Sequence, residues 1–227
     1  MKIGILGVDP ETTSNFFRDL VNLFVTKDIV RKNQDWPQFV INNIPGPAMF
    51  AAKINDSDLV PYLNGMVELD KVGVDCSVMV CNTFYLYKEK FQEKIKTPIL
   101  DLRKAVKSEI NKRNIKSVVA IGTPSTMMGK LYQYSDLNNI ESSDDEIDML
   151  AGMINDYTKN INREVEIEKL TKYCQSNLDK GADAIILGCT EFGEMMRGTK
   201  LPVIDSYSVL LNLVLNYYLS ENRGPNL

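Results

Sequence analysis

Gly181-Ala182-Asp183-Ala184-Ile185-Ile186-Leu187-Gly188-Cys189-Thr190-Glu191-Phe192 reads as a turn, a buried apolar strand, a cysteine at the strand's end and then small polar residues. Gly73-Val74-Asp75-Cys76-Ser77-Val78-Met79-Val80-Cys81-Asn82-Thr83-Phe84 says nearly the same thing. Gly73 with Gly181, Asp75 with Asp183 and Cys81 with Cys189 share one offset. Working outward, Lys2-Ile3-Gly4-Ile5-Leu6-Gly7 resembles Ser117-Val118-Val119-Ala120-Ile121-Gly122 upstream. Downstream, Thr97-Pro98-Ile99-Leu100-Asp101 resembles Leu201-Pro202-Val203-Ile204-Asp205. Buried parallel strands tend to look alike, so one such match carries nothing. Three in the same order, with a cysteine at the same place in the middle one, point to duplication. The predicted fold is therefore α/β, with two similar lobes, each a parallel sheet flanked by helices, related by internal duplication about a pseudo-two-fold. The N-terminal lobe is expected over 1–103 with Cys81 and the C-terminal lobe over 104–207 with Cys189. A closing helix, 208–221, is expected to pack back on the first lobe.

The chain of 227 residues accommodates two such lobes. With 44% hydrophobic and 25% charged residues it has an ordinary globular composition. A net charge of −4 offers no basic surface for nucleic acid. No apolar run reaches membrane-spanning length, and the start MKIGILG has none of the sections of a signal peptide, so a cytoplasmic location is expected. Four cysteines in a chain this long make no disulfide framework, and none is spaced as Cys-x-x-Cys. There is no histidine. That excludes a Ser-His-Asp or Cys-His triad and any histidine-bound metal, and it leaves proton transfer to Cys, a perturbed carboxylate, Lys or Tyr.

Along the chain, residues 2–7 form the first strand, and a helix after Asp9-Pro10 runs to about Thr26 with Phe16, Phe17, Leu20, Leu23 and Phe24 as its apolar stripe. A second strand covers 39–43 and Ile44-Pro45-Gly46-Pro47 is a loop. Leu59 to Val72 is helical with Gly73 as its C-cap. Strand 74–80 delivers Cys81, a helix spans 85–94, and 98–100 is another strand. In the second half come a helix over 104–114, strand 117–121, the hydroxyl-rich turn Gly122-Thr123-Pro124-Ser125-Thr126 leading into 127–131, and an acidic helix capped by Ser143 with Glu146. A helix over 167–180, strand 184–188, strand 202–204, the closing helix and a frayed tail from Asn222 complete it. Strands alternating with helices mean parallel sheets, whose ligands bind outside the carboxyl ends of the strands. Gly7, Cys81, Gly122 and Cys189 all fall at such ends.

A thiol with a free pKa near about 8.5 is activated by hydrogen-bond donors and helix starts, and both cysteines lie between a strand and a helix. Asn82, Thr83 and Thr190 add side-chain donors beside them. Two such groups suit a carbon acid flanked by a carboxylate. One thiolate takes the proton from one face, the opposite thiol returns a proton to the other, and fixed donors hold the charge that develops on the carboxylate oxygens. No pyridoxal phosphate, metal or other cofactor is required. Free cysteine is most often a small buried hydrophobe, which is the reading for Cys76 and Cys174. The turn at 123–126 serves equally as a helix cap or as a ligand contact.

These residues resemble the aspartate/glutamate racemase superfamily, and most closely its aspartate racemase branch. The family's GILGGMGPEAT-like start reads here as Gly4-Ile5-Leu6-Gly7-Val8-Asp9-Pro10-Glu11-Thr12-Thr13, its CNT motif as Cys81-Asn82-Thr83, and its GCTE motif as Gly188-Cys189-Thr190-Glu191. Glutamate racemases place His after the second Cys-Thr, where this chain has Glu191. The resemblance implies a two-lobed, cofactor-independent, usually homodimeric racemase of a small acidic amino acid, with Cys81 and Cys189 as its acid–base pair. It implies that Asn82, Thr83 and Thr190 hold the substrate's α-carboxylate and amine, that Thr123 and Thr126 line the pocket, that Lys159 pairs with the distal carboxylate, and that Val8, Met49 and Glu191 are also substrate-binding positions. The family's IPDRTAA-like loop appears as Gly46-Pro47-Ala48-Met49-Phe50-Ala51-Ala52, so Met49 stands where the family has an arginine. Its CNTAH continues here as Phe84-Tyr85. Two other activities fit less closely: a maleate-isomerase-like reaction with one cysteine as nucleophile, and a two-lobed protein that only binds an acidic metabolite.

Overall fold

The computed structural model describes residues 1–222 and has the α/β class with two parallel sheets flanked by helices. The chain divides into two compact units. One holds Met1–Ala48, Ile54–Leu102 and the residues from Leu210; the other holds Met49–Lys53 and Arg103–Val209. The expected frayed tail lies, past Asn222, outside the described residues.

In the first unit β1 (Lys2–Gly7) pairs in parallel with β2 (Gln38–Asn43) on one side and β3 (Cys76–Met79) on the other. The register sets Ile5 against Ile41 and Val78. Helices α1 (Pro10–Thr26) and α2 (Asp56–Val72) pack on this sheet. Asp9 caps α1 by accepting the Thr12 N–H, and Pro10 at the first helical position loses no hydrogen bond there. Phe16, Leu20 and Phe24 bury the helix's apolar stripe as its spacing predicts. Gly73 ends α2 at φ +74, a conformation that penalises any residue with a Cβ. The expected strand at 98–100 is reduced to one bridge, Ser77 to Ile99. Ser77 donates to the Pro98 carbonyl and accepts from Leu100, but Pro98 has no N–H with which to extend the ladder. After Cys81 the chain enters a 3-10 turn, Asn82–Tyr87, before the short helix α3 (Lys88–Gln92), where a single helix over 85–94 was expected. The turn buries four consecutive residues, Asn82, Thr83, Phe84 and Tyr85.

In the second unit the strand order is β5-β4-β6-β7, all parallel, formed by β4 (Ser117–Gly122), β5 (Asn138–Ile140), β6 (Ala184–Gly188) and β7 (Val203–Asp205). β5 escapes a reading from residues because Asn138-Asn139-Ile140 is short and has the composition of a turn. Helices α4 (Leu102–Lys112), α5 (Pro124–Met128), α6 (Asp144–Thr158), α7 (Arg163–Asp179), α8 (Thr190–Met195) and α9 (Ser206–Asn222) complete the chain order. Ser143 and Glu146 close the expected capping box at the start of α6. Leu150, Met153, Ile154, Leu170 and Cys174 of α6 and α7 share one core with Val119, Ile121, Ile185 and Leu187 of the sheet. From Leu210 onward α9 belongs to the first unit, where Tyr218 packs on Phe24 at 5.1 Å and donates to the Asp35 carbonyl.

The repeat is physical as well as textual. Ser77 and Ile185, matched by the shared offset, donate to the carbonyls of Pro98 and Pro202, each at 3.0 Å. Asp75 accepts the Lys2 N–H at the entrance of β1, and Asp183 accepts the N–H groups of Lys116 and Ser117 at the entrance of β4, both at 2.8 Å. Those N–H groups, Lys116 first, hold the Asp183 carboxyl below the ordinary carboxylate range. A carboxyl lowered on folding stabilises the protein above its unfolded pKa, and that contribution is lost as pH falls through the folded value. Asp183→Asn should therefore cost about 0.5–1 kcal/mol at pH 7, the group being solvent-screened. The gap in urea midpoint between the two proteins should close as pH falls below the carboxylate range. Equal midpoints at pH 7 would show that the clamp contributes nothing.

Candidate active site

All strands of a parallel sheet finish at one edge, and functional groups collect beyond that edge. At the first unit's edge, Val80 donates to the Leu6 carbonyl at 2.8 Å, which sets Cys81 beside the end of β1 and half-buried Val8. A Cβ on Gly7 would collide with the Thr13 hydroxyl and come within 2.6 Å of Asn43 Oδ1, so glycine lets α1 start hard against the strand. Cys81 is extended, with φ −162, and is the residue from which the 3-10 turn begins. It is half-buried, whereas Asn82 and Thr83 are buried.

Tyr62 and Phe84 support this edge. Their rings sit 4.7 Å apart, and the Tyr62 hydroxyl donates to the Pro47 carbonyl at 2.7 Å, tying the 44–48 loop to α2. Burial, and then the charge of the Cys81 thiolate, push Tyr62 up to about 12. Tyr85 is fully buried with its oxygen on the Met79 N–H, and burial drives its phenol above the ordinary range. Sequence reasoning passed over Tyr62 because an aromatic on a helical stripe is usually core. Its signal is the facing Gly46, where a Cβ would come 2.8 Å from the Tyr62 ring.

At the second unit's edge Gly122 and Gly188 lie side by side, and a Cβ on Gly122 would stand 2.8 Å from the Gly188 carbonyl oxygen. Their successors, Thr123 and Cys189, are thereby brought together. Cys189 is extended, with φ −146, and buried, and α8 begins after it. Its Sγ donates to Glu191 Oε2 at 2.6 Å, and the Thr190 hydroxyl donates to the same oxygen at 2.9 Å. The Thr123 side chain accepts the Thr126 N–H and also donates to Thr126 Oγ1, so this turn does cap a helix. Ser125, which lies between them, donates to the Met49 carbonyl at 3.5 Å. Met49 is thus buried within the second unit, and Phe50 packs on that unit's core.

Of the residues singled out in the sequence, Val8, Cys81, Asn82 and Thr83 gather at the first edge. Thr123, Thr126, Cys189, Thr190 and Glu191 gather at the second, with Met49 tied to its hydroxyl turn. Lys159 is exposed where α6 ends, with its N–H on the Asn155 carbonyl. Cys76 and Cys174 are buried, and burial pushes each up to about 12, so both remain neutral thiols. Among the described residues no group of three or more His, Cys, Asp or Glu side chains is arranged to hold a metal ion, and no helix is long and apolar enough to cross a membrane.

Comparison with known proteins agrees with the resemblance read from the motifs. The family model described as Asp/Glu/Hydantoin racemase matches residues 5–214. Over 224 residues the chain is 25% identical to the broad specificity amino-acid racemase RacX of Bacillus subtilis (strain 168), covering 96% of this chain and 98% of that protein. Among solved structures it is similar to the aspartate racemase of Picrophilus torridus, with a TM-score of 0.77 and 23% identity over 96% of this chain and 94% of that one. An aspartate racemase homologue from Pyrococcus horikoshii OT3 gives a TM-score of 0.74 and 23% identity over 96% and 99%.

Proposed function

The chain belongs to the Asp/Glu/Hydantoin racemase family, and from that premise we propose that it is a cofactor-independent amino-acid racemase that interconverts L- and D-aspartate by proton transfer through Cys81 and Cys189. The observation that carries this reading is the duplicated thiol. Each unit offers one cysteine at the same topological point, past the carboxyl end of the matched strands β3 and β6. Inversion of a Cα needs a base on one face and an acid on the other, and a pair of equivalent groups meets that need.

In this mechanism one thiolate removes the α-proton, and the electron pair spreads onto the α-carboxylate oxygens. Hydrogen-bond donors already oriented for those oxygens lower the barrier, because no reorganisation is needed as charge develops. Asn82 and Thr83 beside Cys81, and Thr190 beside Cys189, are the donors proposed for the carboxylate and amine. The second thiol then delivers its proton to the opposite face. Lys159 is assigned to the distal carboxylate. The protein is proposed to act as a cytoplasmic homodimer.

Met49 favours a second reading of the substrate. It is buried and apolar where an acidic side chain would want a cation, and an unpaired carboxylate is costly to bury. Similarity to a broad specificity racemase points the same way. Incubation of each enantiomer of aspartate, glutamate and alanine in D2O, followed by chiral chromatography and proton NMR, separates the readings. Aspartate should racemise with solvent deuterium entering Cα of the product. Turnover of alanine but not aspartate would move the substrate class to neutral amino acids. Binding of aspartate without exchange would indicate a receptor, and a covalent maleate adduct on one cysteine would indicate the isomerase with a single nucleophile. Absence of exchange with every amino acid would sink the racemase reading.

A further inference from the structure

The two thiols match by fold position, but their neighbours differ. Glu191 Oε2 accepts both the Cys189 S–H at 2.6 Å and the Thr190 hydroxyl at 2.9 Å. At the matching place after Cys81 the chain carries Thr83, a neutral hydroxyl buried in the first unit. We infer that Glu191 keeps Cys189 protonated in the resting protein, so that the two thiols enter the reaction in different states, Cys189 as the acid and Cys81 as the base.

The physical reason is charge. A carboxylate oxygen that accepts the S–H stabilises the neutral thiol, and ionising the sulfur would set two anions within 2.6 Å of each other at a buried position. Glu194, Asp205 and Cys174 of the same unit are engaged elsewhere or neutral. Glu194 of α8 is hydrogen-bonded to Tyr157 of α6. Asp205 at the end of β7 accepts from the N–H groups of Tyr207 and Ser208. Cys174 of α7, in the same buried cluster, is a neutral thiol. Glu191 is a carboxylate that reaches the sulfur.

The consequence for turnover rests on the racemase reading. For the enantiomer deprotonated by Cys81, the Cα–H bond breaks as S–H forms on Cys81. The Cys189 S–H then breaks as the new Cα–H forms on the opposite face. The protein is left with Cys81 protonated and Cys189 ionised beside Glu191, and one proton must pass through solvent from the first sulfur to the second before the cycle repeats. The opposite enantiomer needs that high-energy form at the outset. The two substrates should therefore differ in kcat and KM. Their kcat/KM values must stay equal, because the equilibrium constant of a racemisation is one.

The test is cysteine labelling of the intact protein without substrate, so a protein that racemises nothing still gives an answer, and a failed labelling result leaves the racemase reading standing. Wild type, E191Q and E191D are alkylated with iodoacetamide near neutral pH, and the rate at each cysteine is read by peptide mass spectrometry. Only the thiolate reacts, so loss of the carboxylate should speed alkylation of Cys189 by roughly tenfold while Cys81 is unchanged. E191D, which keeps the charge but withdraws it by one methylene, should fall between, and it carries the test alone if E191Q does not fold. An unchanged or slower Cys189, or an equal acceleration at Cys81 from general loosening, would overturn the inference. In racemisation assays E191Q should bring the kcat values of the two enantiomers closer together; a kcat ratio that does not move would overturn the assignment of acid and base.

Discussion

Cys189→Ser should lower kcat/KM for racemisation by about 10³-fold, and Cys81→Ser by a similar factor, because each removes one of the two groups proposed to exchange protons with Cα. A serine hydroxyl has nearly the shape of the thiol but does not ionise near neutral pH, so the carbon–hydrogen bond on that face can be neither broken nor made at a useful rate. The loss must be equal for both enantiomers, since their kcat/KM values are tied by an equilibrium constant of one. Cys76→Ser and Cys174→Ser are the internal controls. Both thiols are buried and neutral, so these changes act on packing alone. Chiral chromatography at several substrate concentrations decides the matter, with circular dichroism to confirm the fold. Retention of kcat/KM within tenfold of wild type in either the Cys81 or the Cys189 variant would remove that thiol from the mechanism.

Phe84→Ala should destabilise the first unit by about 3–5 kcal/mol, the range for deleting a fully buried aromatic and leaving a cavity. Phe84 is 0% exposed and packs between Tyr62 at 4.7 Å and Phe91 at 5.4 Å. Such ring pairs contribute about 0.5–1.5 kcal/mol beyond the area they bury. Trp36 is the chain's one tryptophan and stacks on Phe24 in the same unit, so its fluorescence during urea unfolding reports on that unit. A loss under about 1 kcal/mol would mean that the space closes over and that Phe84 does not brace the turn after Cys81. The same variant should weaken catalysis beyond its effect on folding, because Asn82 and Thr83 belong to that turn.

How much of this was legible in residue order varies with the kind of force involved. β1, β4 and β6 were readable because a strand buried on both faces must be an unbroken apolar run. The helices α1 and α6 were readable because their caps are local: Asp9 to Thr12, and Ser143 with Glu146. β5 was not, because its Asn138-Asn139-Ile140 is made a strand by β4 alongside it. Nor was the shortening at 98–100, where a proline without an N–H outweighs the apolar pattern around it.

The candidate site divides in the same way. Residue order alone set Cys81 and Cys189 at matched strand ends and marked Cys76 and Cys174 as packing, since both conclusions follow from short-range pattern and its repetition. Three things needed the tertiary structure: the tie between Met49 and Ser125, the bracing of the 44–48 loop by Tyr62, and the meeting of the Glu191 carboxylate with the Cys189 sulfur. Chain spacing is blind to the first two because they join segments distant in sequence. The third joins near neighbours, but it depends on side-chain direction at the start of α8, which residue order does not specify. Pattern therefore set the two cysteines at matched strand ends, and packing gave them unlike neighbours, a carboxylate on the Cys189 sulfur and a neutral hydroxyl two residues after Cys81.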